Sequence, residues 1–166
     1  EVLLAIFERA RAAGAPVDAT FALRIAEAVH CSSCSRTTHT VDYVQHLHNA
    51  HATALRLVAD GTSLGRLLRA VDAQELKTCD TDVGGCGRPN GVQRFLNGAP
   101  PRVFALQLAW ESHAEPPEAI AATLAALREG VDLAEVYLSA GDRGAATRYR
   151  LRSMVAYYGQ HYQALV

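Results

Sequence analysis

The four cysteines of this chain fall into two close pairs, and this spacing is the feature with the clearest chemistry. Two residues separate Cys31 from Cys34, and six residues, ending in two glycines, separate Cys79 from Cys86. Two such pairs with a folded stretch between them are typical of a zinc ribbon, in which each pair gives two thiolates to one tetrahedral Zn²⁺ ion. The alternatives are disulfide bonds or unrelated buried thiols. We predict a structural zinc site with these four ligands, which would stabilise the fold by on the order of 10 kcal/mol.

A histidine near the end of the chain is a second candidate for chemistry. His161 follows a glycine turn in the sequence Tyr157-Tyr158-Gly159-Gln160-His161-Tyr162 and begins an apolar segment, so we expect it at the end of a strand, facing a cleft. Such a histidine can act as a general base when a nucleophile lies opposite. The alternative is an ordinary half-buried histidine between tyrosines. No nucleophile accompanies it, because the cysteines are assigned to metal and Ser139 and Ser153 lack a supporting motif.

Five further histidines carry weaker signals. His46, His48 and His51 lie within six residues, and the first two would share one face of a strand and could bind metal. A solvated strand face is the simpler interpretation. His30 and His39 flank the first cysteine pair and could supplement a metal site, although four thiolates already complete a tetrahedral shell.

Composition limits the class of protein. A chain of 166 residues has room for one domain with a sizeable core. Its 16 basic and 17 acidic residues give a net charge of −1, which argues against a nucleic-acid partner. The sequence has neither the long apolar run of a membrane span nor a recognisable signal peptide, so we expect no membrane partner. Thiolates that hold zinc favour a reducing compartment, cytoplasmic or nuclear.

Local patterns predict an α+β fold with a core of antiparallel strands. Helices are predicted at 1–13, 63–71 and 117–127, and strands at 37–48, 92–96, 103–110, 149–158 and 161–166. Thr62 or Ser63 is expected to cap the second helix. The segment 17–29 fits either a helix or a strand. We expect 103–110 to be a buried central strand with Trp110 in the core, and the tyrosines around His161 to form core and cleft wall.

Several segments, in this order along the chain, resemble one known family. They are Cys31-x2-Cys34, residues 48–56, 63–68 and 79–87, the run 99–104, Ala109-Trp110, residues 121–127, and the closing box 151–162. Together they resemble the C-terminal part of the ubiquitin-specific proteases, the papain-like deubiquitinases, and most of all a subgroup found in plants and algae, which has a related animal branch often labelled inactive. The resemblance extends from about Val17 onward.

The resemblance implies a papain-like, hand-shaped fold and a ubiquitin partner. The whole chain, 1–166, would be one partial domain, with zinc-ribbon fingers at about 30–96 and a palm at about 97–166. His161 matches the family histidine that deprotonates the catalytic cysteine. Tyr158, Gly159, Gln160 and Tyr162, in the same box, would contact the substrate.

The sequence also departs from the family. It contains neither the family's cysteine box nor the Asp or Asn that follows the histidine, and the second cysteine pair is more widely spaced than the common pattern. We therefore expect a segment that recognises ubiquitin and, in the intact parent, removes it from proteins by cysteine-dependent hydrolysis. The alternative is a catalytically inactive zinc-ribbon module that binds ubiquitin or another protein. A nucleic-acid-binding ribbon would show a basic face, which the near-neutral charge does not provide.

Overall fold

The computed structural model describes residues 2–56, 62–112, 114–139, 144, 146–158 and 161–166. The helices in these ranges are α1 (Val2–Ala12), α2 (Val17–Phe21), α3 (Ala52–Arg56), α4 (Leu64–Asp72), α5 (Pro117–Arg128) and α6 (Leu133–Val136). The strands are β1 (Leu23–His30), β2 (Thr37–Gln45), β3 (His48–His51), β4 (Leu76–Thr78), β5 (Pro89–Leu96), β6 (Leu106–Ala109), β7 (Val131–Asp132), β8 (Arg148–Tyr149), β9 (Met154–Tyr158) and β10 (His161–Leu165). No described helix is long and apolar enough to cross a membrane.

A four-stranded antiparallel sheet organises the first two thirds of the chain. Its strand order is β2-β1-β5-β4, so β1 pairs with β5 across a long stretch of sequence. Alternate residues of β1 are buried because successive side chains in a strand point to opposite faces of the sheet. The register between β1 and β2 shifts between Glu27 and Val29, and this irregularity bends the sheet near its outer end.

The main core packs against the end of this sheet that contains Leu23 and Leu96, away from the end that carries the cysteines. Its fully buried side chains come from β1, three helices and the residue after α6: Leu23, Ile25, Leu55, Leu68, Leu133 and Tyr137. Helix α4 begins at the predicted cap, because the Ser63 hydroxyl accepts a hydrogen bond from the backbone N–H of Arg66 at 3.3 Å. Both the mixed helix–strand class and the predicted α4 are confirmed.

The other predicted helices and strands agree with the structure to different degrees. Helices α1 and α5 and strands β2, β5 and β10 overlap the predicted segments, although β2 already ends at Gln45. The ambiguous segment 17–29 contains both alternatives, since α2 ends at Phe21 and β1 begins at Leu23. The predicted strand at 149–158 is interrupted, because β8 ends at Tyr149, β9 begins at Met154, and residues 150–153 belong to neither strand.

The prediction of a buried central strand at 103–110 is wrong. Only Leu106–Ala109 form a strand, and it pairs in parallel with β3 alone in the part of the chain that is described. With one neighbouring strand, β6 is only partly covered, and Trp110 stays 38% exposed. The core is therefore not built from antiparallel strands alone.

Strands β9 and β10 form an antiparallel pair of their own. His161 lies opposite Tyr158, and Tyr162 lies opposite Tyr157 with the two rings 4.7 Å apart. Tyr157 and Tyr162 are more than half exposed, so the expectation that they belong to the core is wrong. They stack on each other rather than on the main core. Gly159 and Gln160, the predicted turn, lie outside the described residues.

Candidate functional site: a four-cysteine cluster at the end of the sheet

The first cysteine pair occupies the turn between β1 and β2. Cys31 directly follows the end of β1, and its backbone N–H donates to the carbonyl of Arg36 at 2.8 Å. The N–H of Ser35 donates back to the carbonyl of Cys31 at 2.9 Å, and Ser35 takes a left-handed conformation with φ of 58°. This tight reversal turns the side chains of Cys31 and Cys34 toward the same point.

The second pair occupies the turn between β4 and β5. Cys79 follows β4, and its carbonyl accepts from the N–H of Gly87 at 3.0 Å. A Cβ atom on Gly85 would lie 2.3 Å from the carbonyl oxygen of Asp80 and 2.6 Å from the sulfur of Cys79. Only glycine therefore fits at this position, and the Gly-Gly sequence lets the backbone wrap closely around the Cys79 sulfur.

The two turns meet because β1 and β5 are neighbours in the sheet. The sulfur of Cys31 lies 3.4 Å from that of Cys86, and the sulfur of Cys34 lies 3.7 Å from that of Cys79. All four sulfurs lie within 4.8 Å of one another. A tetrahedral site with metal–sulfur bonds of about 2.3 Å has sulfur–sulfur edges of about 3.8 Å, which these distances match. None of the four is in a disulfide bond, so the disulfide alternative is not found.

The electrostatics of the cluster also suit a cation. Backbone N–H groups, first that of Cys34 and then that of Ser33, lower the pKa of Cys31 to about 6. The N–H of Cys86 favours the thiolate of Cys79, but burial and the neighbouring sulfurs outweigh it and raise the pKa of Cys79 to about 11. The cluster therefore resists holding four negative charges by itself. A divalent ion that prefers sulfur would remove this repulsion.

A buried amide outside the cysteines joins the two turns. The side-chain oxygen of Asn90 accepts from the backbone N–H of Ser32 at 3.1 Å, and its NH₂ group donates to the carbonyl of Arg88 at 2.8 Å. One side chain thus holds the first turn against the second. Sequence reasoning missed Asn90, and the available signal was weak: an amide four residues after Cys86.

Neither neighbouring histidine belongs to the cluster. The ring of His30 lies 3.3 Å from the hydroxyl of Thr37, and His39 donates to the carbonyl of Thr78 at 2.8 Å. The suggestion that they supplement the metal ligands is therefore wrong for the described structure, in which the candidate metal cluster consists of the cysteines.

His48 is buried, which contradicts the interpretation of a solvated histidine face. The side-chain NH₂ group of Gln45 donates to the hydroxyl oxygen of Tyr137 at 3.1 Å. The Tyr137 hydroxyl in turn donates its own proton to Nδ1 of His48 at 2.7 Å. We therefore assign the proton of the neutral imidazole to Nε2. That atom lies 4.0 Å from Asp72 and has no hydrogen bond within the described residues.

His46 does not join His48 in a metal site. Its ring donates to Asp18 at 2.7 Å instead.

We expect His48 to make the protein less stable as the pH falls. Burial lowers its pKa, more than Asp72 raises it, so the unfolded chain takes up a proton that the folded chain resists. The loss begins near the ordinary pKa of 6.5 and grows as the pH falls toward the lowered pKa of the folded state. Urea unfolding of wild type and His48→Gln at pH 7.5 and 5.5 measures it. The exposed His51→Gln is the matched control, and an equal pH response in all three proteins would contradict the assignment.

A buried carboxylate lies between the cysteine cluster and the main core. Glu27, in the middle of β1, contacts the ammonium group of Lys77 and accepts from Arg94 at 3.3 Å and from Tyr43 at 3.4 Å. Arg94 also contacts Asp72 at 3.0 Å and bonds to Glu75. These charges link β1, β4 and β5 with the end of α4.

The predicted site residues separate into two groups. The structure brings the four cysteines together, whereas His161 is an exposed residue at the start of β10, on a different sheet. Among the described residues, none forms a hydrogen bond with its ring. Tyr162 is exposed on the same strand, and Tyr158 lies opposite His161 on β9.

Comparison with known proteins gives one kind of match. No family model matches the chain. It is 27% identical over 154 residues to ubiquitin carboxyl-terminal hydrolase 54 of Mus musculus, an alignment that covers 86% of this chain. The protein of the same name from Rattus norvegicus is 26% identical over 154 residues. The chain spans about 9% of the length of these relatives. This similarity supports a relationship to the ubiquitin-specific proteases.

Proposed function

We propose that this chain is a segment of a ubiquitin carboxyl-terminal hydrolase-like domain that recognises ubiquitin. The observation that carries the proposal is the similarity to ubiquitin carboxyl-terminal hydrolase 54 over 86% of the chain. The cysteine cluster at the end of an antiparallel sheet supports it, because a zinc-ribbon insertion is what the sequence resemblance implies. The partners would be ubiquitin or ubiquitinated proteins, in the cytoplasm or nucleus.

The finer family features are part of the same proposal. Residues 30–96 would be the fingers and 97–166 the palm of a papain-like cysteine protease fold. Membership of the plant and algal subgroup remains a prediction, since the relatives found are mammalian.

We further propose that the cluster holds one structural zinc ion. Cys31, Cys34, Cys79 and Cys86 would be the ligands, and their spacing fits a tetrahedral shell. The ion would supply a cross-link between two turns that otherwise rely on Asn90 and on strand pairing.

In the intact parent, His161 would act as the general base. It would take the proton of a cysteine thiol located elsewhere in the parent, and the thiolate would attack the carbonyl carbon of the C-terminal glycine of ubiquitin, where the bond to the lysine nitrogen breaks. His161 would then donate that proton to the leaving lysine amine. Tyr158, Gly159, Gln160 and Tyr162 would line the approach to this histidine. The exposure of His161 leaves its ring accessible to such partners.

The alternative is a catalytically inactive module that binds ubiquitin or another protein. It fits the family resemblance of the sequence, since the related animal branch is often labelled inactive. In this case the sheet and its metal turns would still recognise ubiquitin, and His161 would be an ordinary surface histidine.

A ubiquitin probe with a C-terminal thiol-reactive group distinguishes these functions in the full-length parent. We expect a covalent adduct whose rate of formation falls at least about 100-fold in His161→Ala, because general bases contribute that much or more. His51→Ala, an exposed histidine outside the proposed site, should react like wild type. Adduct formation that His161→Ala leaves unchanged would overturn the role of His161. Binding of unmodified ubiquitin without any adduct would establish the inactive module. If the protein shows no binding and forms no adduct, ubiquitin recognition is refuted.

A further inference from the structure

The four cysteine residues of the cluster differ in their exposure to solvent. Cys31 and Cys79 are fully buried, Cys34 is intermediate, and Cys86 is exposed. The cause is the position of Cys86, which lies in the glycine-rich turn after Gly85 and before β5 begins. A small oxidant dissolved in water therefore meets Cys86 before the other three cysteines.

The sulfur of Cys86 also has a partner at short range. The buried sulfur of Cys31 lies 3.4 Å away, closer than the 3.7 Å between Cys34 and Cys79. Forming a disulfide of about 2.0 Å requires the Cys31 and Cys86 sulfurs to approach by somewhat more than 1 Å. Cys86 belongs to a turn on the surface, where a small shift costs less than movement of a core strand.

From this arrangement we propose that Cys86 is a redox-sensitive ligand, and that peroxide converts Cys86 and Cys31 into a disulfide with release of the metal. The thiolate of Cys86 attacks one oxygen of hydrogen peroxide, which gives a sulfenic acid and hydroxide. The thiolate of Cys31 then attacks the Cys86 sulfur and displaces a second hydroxide. Two sulfurs lose one electron each and peroxide gains two.

The metal leaves because the disulfide removes two of its four ligands. The remaining pair, Cys34 and Cys79, supplies only half of a tetrahedral shell. The new bond still joins the end of β1 to the turn before β5, so the pairing of these strands survives the loss of metal. The inference rests on the proposed zinc site, and it makes the ribbon a switch between a metal cross-link and a covalent one.

The test follows zinc release from the full chain after addition of hydrogen peroxide, with a chromogenic zinc indicator. We expect one zinc per chain to be released, and peptide mass mapping to find a Cys31–Cys86 disulfide. Cys86→His keeps a Cys₃His ligand set, which binds zinc, but removes the exposed cysteine. Zinc release from Cys86→His should be at least tenfold slower than from wild type. Cys34→His is the matched control, since it keeps Cys86 and should release zinc at nearly the wild-type rate.

Each outcome decides one point. Equal release rates in Cys86→His and wild type, or a disulfide between a different pair, would overturn the redox inference. Zinc analysis before peroxide is added tests the metal site separately, because a chain without zinc refutes that site whatever peroxide does. If the histidine variants fail to bind zinc, disulfide mapping of oxidised wild type still decides whether Cys31 and Cys86 are the reacting pair.

Discussion

Cys79→Ser should abolish zinc binding and unfold the end of the sheet. Cys79 is fully buried, and its sulfur faces the sulfur of Cys34 and the backbone N–H of Cys86. A serine hydroxyl at this position is a poor zinc ligand, and the other three thiolates would lose the ion that balances their charge. Structural zinc in small sites contributes on the order of 10 kcal/mol, so this is the largest effect we expect from a single substitution.

The loss should be local to the two cysteine turns and the strands that carry them. Hydrogen exchange should become fast in residues 29–38 and 76–92, whereas α4 and α5 stay protected because they pack on the core cluster around Leu68 and Leu127. Elemental analysis gives the zinc content, expected to fall from one ion per chain to none. Ser33→Ala, in the same turn but not a ligand, is the control and should retain zinc. Full zinc content in Cys79→Ser would contradict the four-thiolate site.

Glu27→Gln should cost about 3 kcal/mol of stability, the second largest effect. The Glu27 side chain is 5% exposed, and it lies between Lys77 and Arg94. Removing its charge leaves Lys77 and Arg94 without the buried carboxylate that they share, and Arg94 is only 16% exposed, so water cannot fully replace the lost partner. Glu75 contacts the same two cations but is 46% exposed, so Glu75→Gln should cost less than about 1 kcal/mol.

Urea unfolding at pH 7 and at pH 3.5 measures this difference. Burial alone would raise the pKa of Glu27, but Lys77 and Arg94 together hold it below the ordinary value of 4.5. A carboxyl with a lowered pKa stabilises the fold above its unfolded pKa, and this stabilisation is lost as the pH falls through the folded one. The gap between wild type and Glu27→Gln should therefore narrow in acid. Equal costs for Glu27→Gln and Glu75→Gln at pH 7 would show that burial of the carboxylate does not matter.

The sequence predicted features that depend on neighbours close along the chain. The cysteine spacing, the Ser63 cap and the apolar repeats of α1, α4 and α5 are local signals, and the structure contains each of them. Features that depend on distant partners were missed. The burial of His48 requires Tyr137, and Glu27 requires Lys77 and Arg94, so no local pattern could reveal either.

The same limit explains the errors on aromatic residues. The run that contains Trp110 is apolar enough for a central strand, but a strand is central only if other strands flank it, and β6 pairs with β3 alone in the described structure. For Tyr157 and Tyr162, aromatic character predicted a core position, whereas the described structure stacks them on each other at the surface. Burial is set by the three-dimensional neighbours of a residue as much as by its type.

The pairing of β1 with β5 has a consequence for how the chain folds during synthesis. The cysteines that face each other are 45 and 55 residues apart in sequence, so the first pair leaves the ribosome several seconds before its partners. During that interval β1 can pair only with β2, and its other edge is unpaired, an arrangement that invites association with other chains. Binding of the proposed metal would close the long loop between the two cysteine turns as soon as the second turn emerges. The supply of metal would then determine the folding yield as well as the final stability.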